Sequence, residues 1–166
     1  MLARLVGTNG KILAFEIEPD LAVRARGNLA HLPNVSVLAA SATESSLPSS
    51  DLIYVNAGAT HPIASWLDAL NIGGRLIFPL TPNEGFGCML LVTRRSETAY
   101  AASAVTRAAF IPCVGARDEA MSKSIASALE RQPLNSIRSL RRDDSVDATA
   151  WCVGSGWWLS TVEVAH

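Results

Sequence analysis

Three places in the chain carry residues suited to chemistry on a small polar ligand. Glu16 sits near the end of the apolar run "KILAFEI", just before Pro19, where a helix is expected to start. A carboxylate can accept hydrogen bonds from two vicinal hydroxyls, so Glu16 suits the 2′ and 3′ positions of a ribose. A surface glutamate beside Glu18 would occupy the same position equally well. Ser41, closing "VSVLAAS", offers a hydroxyl that could meet an adenine edge directly or through water, or that simply ends a strand. Asn56, Ala57 and Gly58 end "DLIYVNAG", where glycine lets a ligand approach the backbone closely or makes a plain turn into a helix.

Other reactive side chains form no constellation. His31, His61 and His166 are not spaced as metal ligands, although His61, just ahead of Pro62, is placed where it could line a cleft. No Ser-His-Asp set stands out. Cys88, Cys113 and Cys152 are far apart, odd in number and without CxxC spacing, which argues against a disulfide framework or a zinc site and for buried thiols in a reducing compartment. The net charge of −1 provides no electrostatic footprint for nucleic acid or an anionic membrane. Arg138, Arg141 and Arg142 are followed at once by Asp143 and Asp144 and read as a solvated face. "MLARLVGTNGK" has too short an apolar run for a signal peptide, and no apolar stretch approaches membrane-spanning length, so a cytoplasmic location is expected.

The elements that must position these residues follow from the pattern. The chain has 166 residues, 49% apolar and 17% charged, which suits one globular domain with a sizeable core. "MLARLVG" predicts the last turns of a helix closed by Gly7, and "KILAFEI" a short buried strand. A helix follows with Pro19 at its first position and Leu21, Ala25, Leu29 and Leu32 on one face. "NVSVLAAS", "DLIYVNAG" and "RLIFPL" predict strands, and "HPIASWLDAL" a helix that begins at Pro62 and is stopped by "NIGG". Apolar strands alternating with helices imply a parallel sheet covered on both faces. Beyond it, "CMLLVTRRS", "TAYAASAVTRAAFIPCV" and "ATAWCVGSGWWLSTVEV" predict antiparallel strands, interrupted by a helix near residues 118–131 with Met121, Ile125, Ala128 and Leu129 inward. "QPLNSIRSLRRDDSVD" reads as a polar linker or surface excursion, and Trp151, Trp157 and Trp158 as core or as the lining of an apolar pocket.

In an open parallel sheet, ligands bind at the carboxyl ends of the strands, where Glu16, Ser41 and Asn56–Gly58 fall. A nicotinamide-binding fold also places an acid there, and both folds need a glycine-rich loop ahead of it. "GTNG" at residues 7–10 follows a helix and reads as a turn, and "GSG" at 154–156 reads as a hairpin turn.

"LARLVGTNGKILAFEIEPDLAVRARGNLAHLPNVSVLAAS" and "DLIYVNAGATHPIASWLDALNIGGRLIFPLTP", with "AAFIPCVG" after them, resemble the protein-L-isoaspartate O-methyltransferase family. The strongest segments are "FEIEPDLAVRARGNL", "NVSV" and "LNIGGRLIFPL". The resemblance implies an α/β, Rossmann-like methyltransferase sheet, mostly parallel with antiparallel C-terminal strands, and S-adenosyl-L-methionine as methyl donor. It implies Glu16 as the ribose-binding acid. It puts Ser41 where the family usually has an adenine-contacting aspartate, and Asn56, Ala57 and Gly58 at the strand end facing donor and substrate. A protein or peptide would be the methyl acceptor, in the service of protein repair.

The family's N-terminal helical region, first strand and glycine-rich loop have no counterpart here, so residues 1–115 are expected to form a truncated methyltransferase-like core lacking its central strand. Residues 116–166 are expected to add a helix and strands packed on the same domain. Without that strand, the strands at 11–17 and 51–56 would each have an open edge, an invitation to pair with a second copy. Weak donor binding, or none, is expected of the chain alone. The alternatives are a non-catalytic, dimerising module with the same shell and, further off, a nicotinamide-dependent oxidoreductase fragment. Methyl transfer from a sulfonium to an ionised isoaspartyl carboxylate needs alignment and no general base, which is consistent with the absence of a positioned histidine.

Overall fold

A computed structural model describes residues 2–164. The chain divides into two compact units, Met1–Ser46 and Leu47–His166.

The first unit contains helix α1 (Leu2–Leu5), strand β1 (Ile12–Glu16), helix α2 (Pro19–Leu29) and strand β2 (Val35–Ala39). Gly7, at φ +72°, turns the chain out of α1 in a conformation that side chains with a Cβ disfavour. Pro19 occupies the first turn of α2, where its missing N–H is one the helix leaves unpaired anyway, and Asp20 adds its charge at the positive end of the helix dipole. β1 and β2 pair in parallel, in a register running from Ile12 opposite Val35 to Glu16 opposite Ala39. The expected inward face of α2 is off by one residue. Leu21 is 45% exposed, whereas Ala22 is fully buried and Ala25 and Leu29 are half-buried, three and seven positions further on.

The second unit builds one seven-stranded sheet. Its strands are β3 (Ser50–Tyr54), β4 (Leu70–Leu80), β5 (Gly87–Arg94), β6 (Tyr100–Ala108), β7 (Ser139–Arg141), β8 (Ala150–Gly154) and β9 (Trp157–Ser160), in the order β3-β4-β5-β6-β7-β9-β8. The β3–β4 pair is parallel, and every later pair is antiparallel. Helix α3 (Ala64–Asp68) joins β3 to β4, and helix α4 (Glu119–Arg131) precedes a short 3-10 turn and β7. Asp118 caps α4 by accepting the Met121 N–H at 2.7 Å, and Ile125 and Ala128 on its inner face are fully buried. The core holds Trp66, Phe78, Leu90, Tyr100, Trp151 and Leu159, with Trp66 and Phe78 packed edge to face at 6.2 Å.

Four sequence expectations are corrected. The early strands are not covered on both faces: Leu13 is 39% exposed, Leu52 43% and Tyr54 49%. α3 is only five residues long, Pro62 precedes its cap Ile63, and "NIGG" lies inside β4, with Gly73 at φ +83° and a register shift against β3. "QPLNSIRSLRRDDSVD" is not a linker: it contains β7, and Ile137 and Leu140 are fully buried. The arginines of this segment do not form a freely solvated face. Arg142 pairs with Asp68, the Arg141 guanidinium lies 5.2 Å from the centre of the Trp158 ring, and Arg138 donates to the Asn135 and Ile137 carbonyls. Among the described residues no helix is long and apolar enough to cross a membrane.

Candidate functional site

Glu16 and Ser41 belong to the first unit, and parallel pairing sets them at the same end of its sheet. Glu16 is the last residue of β1 and lies opposite Ala39, and its carbonyl accepts the Ala40 N–H at 3.0 Å. Both residues are half-exposed at the carboxyl ends of their strands. The Glu16 carboxylate is no partner in an ion pair among the described residues. Its Oε1 accepts the Glu18 N–H at 3.0 Å, which orients the group as the chain turns into α2. A carboxylate oxygen has two lone pairs, so the group keeps the capacity to accept from a vicinal diol. The Ser41 hydroxyl is engaged inside its own turn: it lies 2.7 Å from the Thr43 hydroxyl and accepts the Thr43 N–H at 3.3 Å.

Asn56, Ala57 and Gly58 belong to the second unit. β3 ends at Tyr54, so these residues form the segment that leaves its carboxyl end. Asn56 is exposed, Ala57 half-buried and Gly58 buried. The Gly58 N–H donates to the Ile111 carbonyl at 2.7 Å, and its own carbonyl accepts the Cys113 N–H at 2.8 Å. A Cβ on Gly58 would lie 2.6 Å from the Thr81 Oγ1. The close approach that this glycine permits is therefore to Thr81 and the 110–113 chain.

Around this segment the fold assembles a polar cluster that the spacing of residues along the chain did not reveal. Arg117 Nη1 donates to the carbonyls of Gly58 and Thr81, both at 3.0 Å, and to the Thr81 hydroxyl at 3.1 Å, while Nη2 donates to Asn83 Oδ1. The Asp118 N–H donates to the Thr60 hydroxyl at 2.9 Å, and that hydroxyl lies 3.1 Å from His61 Nδ1. Asn83 reaches α4 twice, donating from its amide side chain to Glu119 at 2.6 Å and from its backbone N–H to the Ser122 hydroxyl at 2.7 Å. Thr60, Thr81, Asn83 and Arg117 are separated by up to 57 positions (117 − 60) and carry no motif; only the helix expected near residues 118–131 marked this region in the sequence.

Burial lowers the pKa of His61 below the ordinary 6.5, more than Asp118 raises it, and Arg117 lowers it further, so the imidazole is neutral at neutral pH. Burial likewise raises the Cys113 thiol, with Arg117 pulling the other way. His31 and His61 lie in different units, and His166 lies outside the described residues. Among the described residues no group of three His, Cys, Asp or Glu could hold a metal ion.

Comparison with known proteins bears on both units. A family model described as Protein-L-isoaspartate(D-aspartate) O-methyltransferase (PCMT) matches residues 1–118. A curated protein-L-isoaspartate O-methyltransferase of Ignicoccus hospitalis is 30% identical over 118 residues, covering 69% of this chain and 56% of the relative. The chain thus spans about half the length of the curated relative it matches. A beta-aspartate methyltransferase (PCMT) from Plasmodium falciparum, solved in complex with S-adenosyl-L-homocysteine, superposes with a TM-score of 0.58 at 17% identity, covering 68% of this chain and 56% of that one. A second solved protein-L-isoaspartate O-methyltransferase gives a TM-score of 0.62 at 21% identity, with coverages of 78% and 40%. At these identities the likeness is one of fold, the α/β Rossmann-like methyltransferase architecture.

Proposed function

The chain belongs to the protein-L-isoaspartate O-methyltransferase family, and from that premise we propose that it takes part in methyl transfer from S-adenosyl-L-methionine to a carboxylate of a protein or peptide. The observation that carries this proposal is Glu16, an oriented, half-exposed carboxylate at the carboxyl end of a parallel strand inside the family match. Glu16 would hold the ribose hydroxyls of the donor. Ser41, one strand over, would border the adenine, its hydroxyl turning from Thr43 to do so.

The donor brings its own leaving group, so the protein's work is to bind, align and exclude water. An acceptor carboxylate is already ionised at neutral pH, and a neutral His61 need not take a proton from it. The three buried, unpaired thiols suit a reducing, cytoplasmic setting, and an isoaspartyl acceptor would make the activity one of protein repair.

The test is calorimetric titration with S-adenosyl-L-methionine, together with methyl transfer to an isoaspartyl peptide, on the chain and on Glu16→Ala. Losing hydrogen bonds to a charged acceptor is worth about 1.5–3 kcal/mol, so the variant should bind the donor at least roughly tenfold more weakly. Equal donor affinity in the two proteins would sink the assignment of Glu16.

A second reading rests on a separate observation. Among the described residues β1 pairs only with β2 and β3 only with β4, leaving each with an unpaired edge, and Leu13, Leu52 and Tyr54 are exposed on these strands. In this reading the chain is a non-catalytic module that dimerises through its edges. Sedimentation showing a dimer, together with no donor binding, would favour it over methyl transfer.

A further inference from the structure

The carboxyl ends of β3 and β4 are held by residues that only the tertiary fold brings together. The segment Gly58–Thr60 runs between residues 79–81 and residues 111–116, bridging Pro112 through Gly58 and Leu80 through Ala59. The central segment and the chain just after β4 are also tied to the start of α4. Asp118 meets Thr60, while Glu119 and Ser122 meet Asn83. At the centre is Arg117, whose guanidinium joins the post-β3 carbonyl of Gly58, the post-β4 carbonyl and hydroxyl of Thr81, and the Asn83 side chain. A planar fork can span two loops in this way, whereas an ammonium reaches from a single point. Gly58 is part of the same device, because a side chain there would displace the Thr81 hydroxyl that Arg117 grips.

We propose that Arg117 is a positioning residue that clamps the Asn56–Thr60 and Thr81–Asn83 segments into one rigid wall, with the first turn of α4 as its anchor. Ligands of open α/β sheets bind at this end of the strands, and the clamped segments carry exposed Asn56 and exposed Asn83, with half-buried His61 immediately after the first. The clamp gives α4 a role, because it ties a helix that lies beyond the family match to strand ends within it. What the wall faces rests on the methyl-transfer reading; that it is clamped does not.

The experiment is residue-resolved amide hydrogen exchange on the full chain, wild type, Arg117→Ala, Arg117→Lys and Asn83→Ala, with thermal unfolding alongside. Arg117→Ala should speed exchange at Gly58, Ala59, Thr60 and Cys113 at least tenfold and leave Leu90 and Val92 in β5 unchanged. Arg117→Lys should recover part of that protection, and Asn83→Ala should produce a smaller, equally local rise. Unchanged exchange at those four amides, or a rise spread evenly into β5, would overturn the clamp. If Arg117→Ala does not fold, the lysine and asparagine variants decide by the same local-against-global criterion. Methyl transfer on these proteins reads the functional half: Arg117→Lys should lower kcat/KM for an isoaspartyl peptide while leaving the donor Kd unchanged. A change confined to stability, with kcat/KM intact, would reduce Arg117 to a structural tie. A wild-type chain that transfers no methyl group would count against the functional reading, and the exchange data would still judge the clamp.

Discussion

Between residues 2 and 46, Ala22 is the one fully buried residue, whereas the unit from Leu47 onward encloses a continuous core with three of its four tryptophans nearly inaccessible. One unit rests on a two-stranded sheet and the other on seven strands. A two-stranded sheet is marginal by itself, and burial is the main source of stability, so the two halves should respond very differently to the same insult. The proposed donor-holding residues Glu16 and Ser41 stand in the lighter unit, and the clamped strand ends in the denser one. Regions that bind and release ligands are commonly drawn from the less stable part of a fold.

The strongest way to break this contrast is to truncate one side chain in each unit and compare denaturant midpoints. Trp66→Ala removes a fully buried ring packed on Phe78 and should cost about 3–5 kcal/mol. Leu13→Ala, at a site 39% exposed, should cost about 1 kcal/mol or less. Equal losses would erase the distinction. Gly58→Ala tests the denser unit at its tightest point: the new Cβ meets Thr81 at 2.6 Å, and overpacking of this kind should cost about 1–3 kcal/mol. A variant as stable as wild type would mean that the segment yields easily.

Alkaline unfolding sharpens the contrast, because the buried thiols all lie in the second unit. Burial pushes Cys88 up to about 12 and Cys152 up to about 11 from an ordinary 9.0. A pKa raised in the folded state means that the unfolded chain ionises first. The stabilisation is therefore complete below pH 9 and is lost between there and the raised values, by roughly 1 kcal/mol per thiol at pH 10. Cys88→Ala should flatten the decline measured from pH 8 to 10, and an unchanged slope would contradict the assignment. The smallest effect belongs to Arg142→Ala: its pair with Asp68 is partly exposed, and its loss should cost about 0.2–1 kcal/mol in chemical denaturation.

Much of the element order was legible in the sequence. Pro19 marked the start of α2, the spacing of Met121, Ile125 and Ala128 marked α4, and the "GSG" at 154–156 marked the β8–β9 hairpin. The positions of Glu16 and Ser41 at strand ends were legible for the same reason: strand length and helix start are local properties. The apolar face of α2 was misread by one residue because a helix with few buried positions carries a weak periodic signal. β7 was hidden because three residues are too few to show alternation, and the bulk of its neighbours was polar.

The amino-acid order by itself determined where most of the strands and the longer helices lie, and where the acid and the small residues stand, since these depend on neighbours a few positions away. Tertiary structure alone decided that Arg117 meets the carbonyls of Gly58 and Thr81, that Thr81 rather than a ligand occupies the space glycine leaves, and that the strands after Asp118 complete the sheet begun by β3. Those are contacts between residues tens of positions apart, made by groups that recur along the chain, and only the closing of the sheet selects which of them meet.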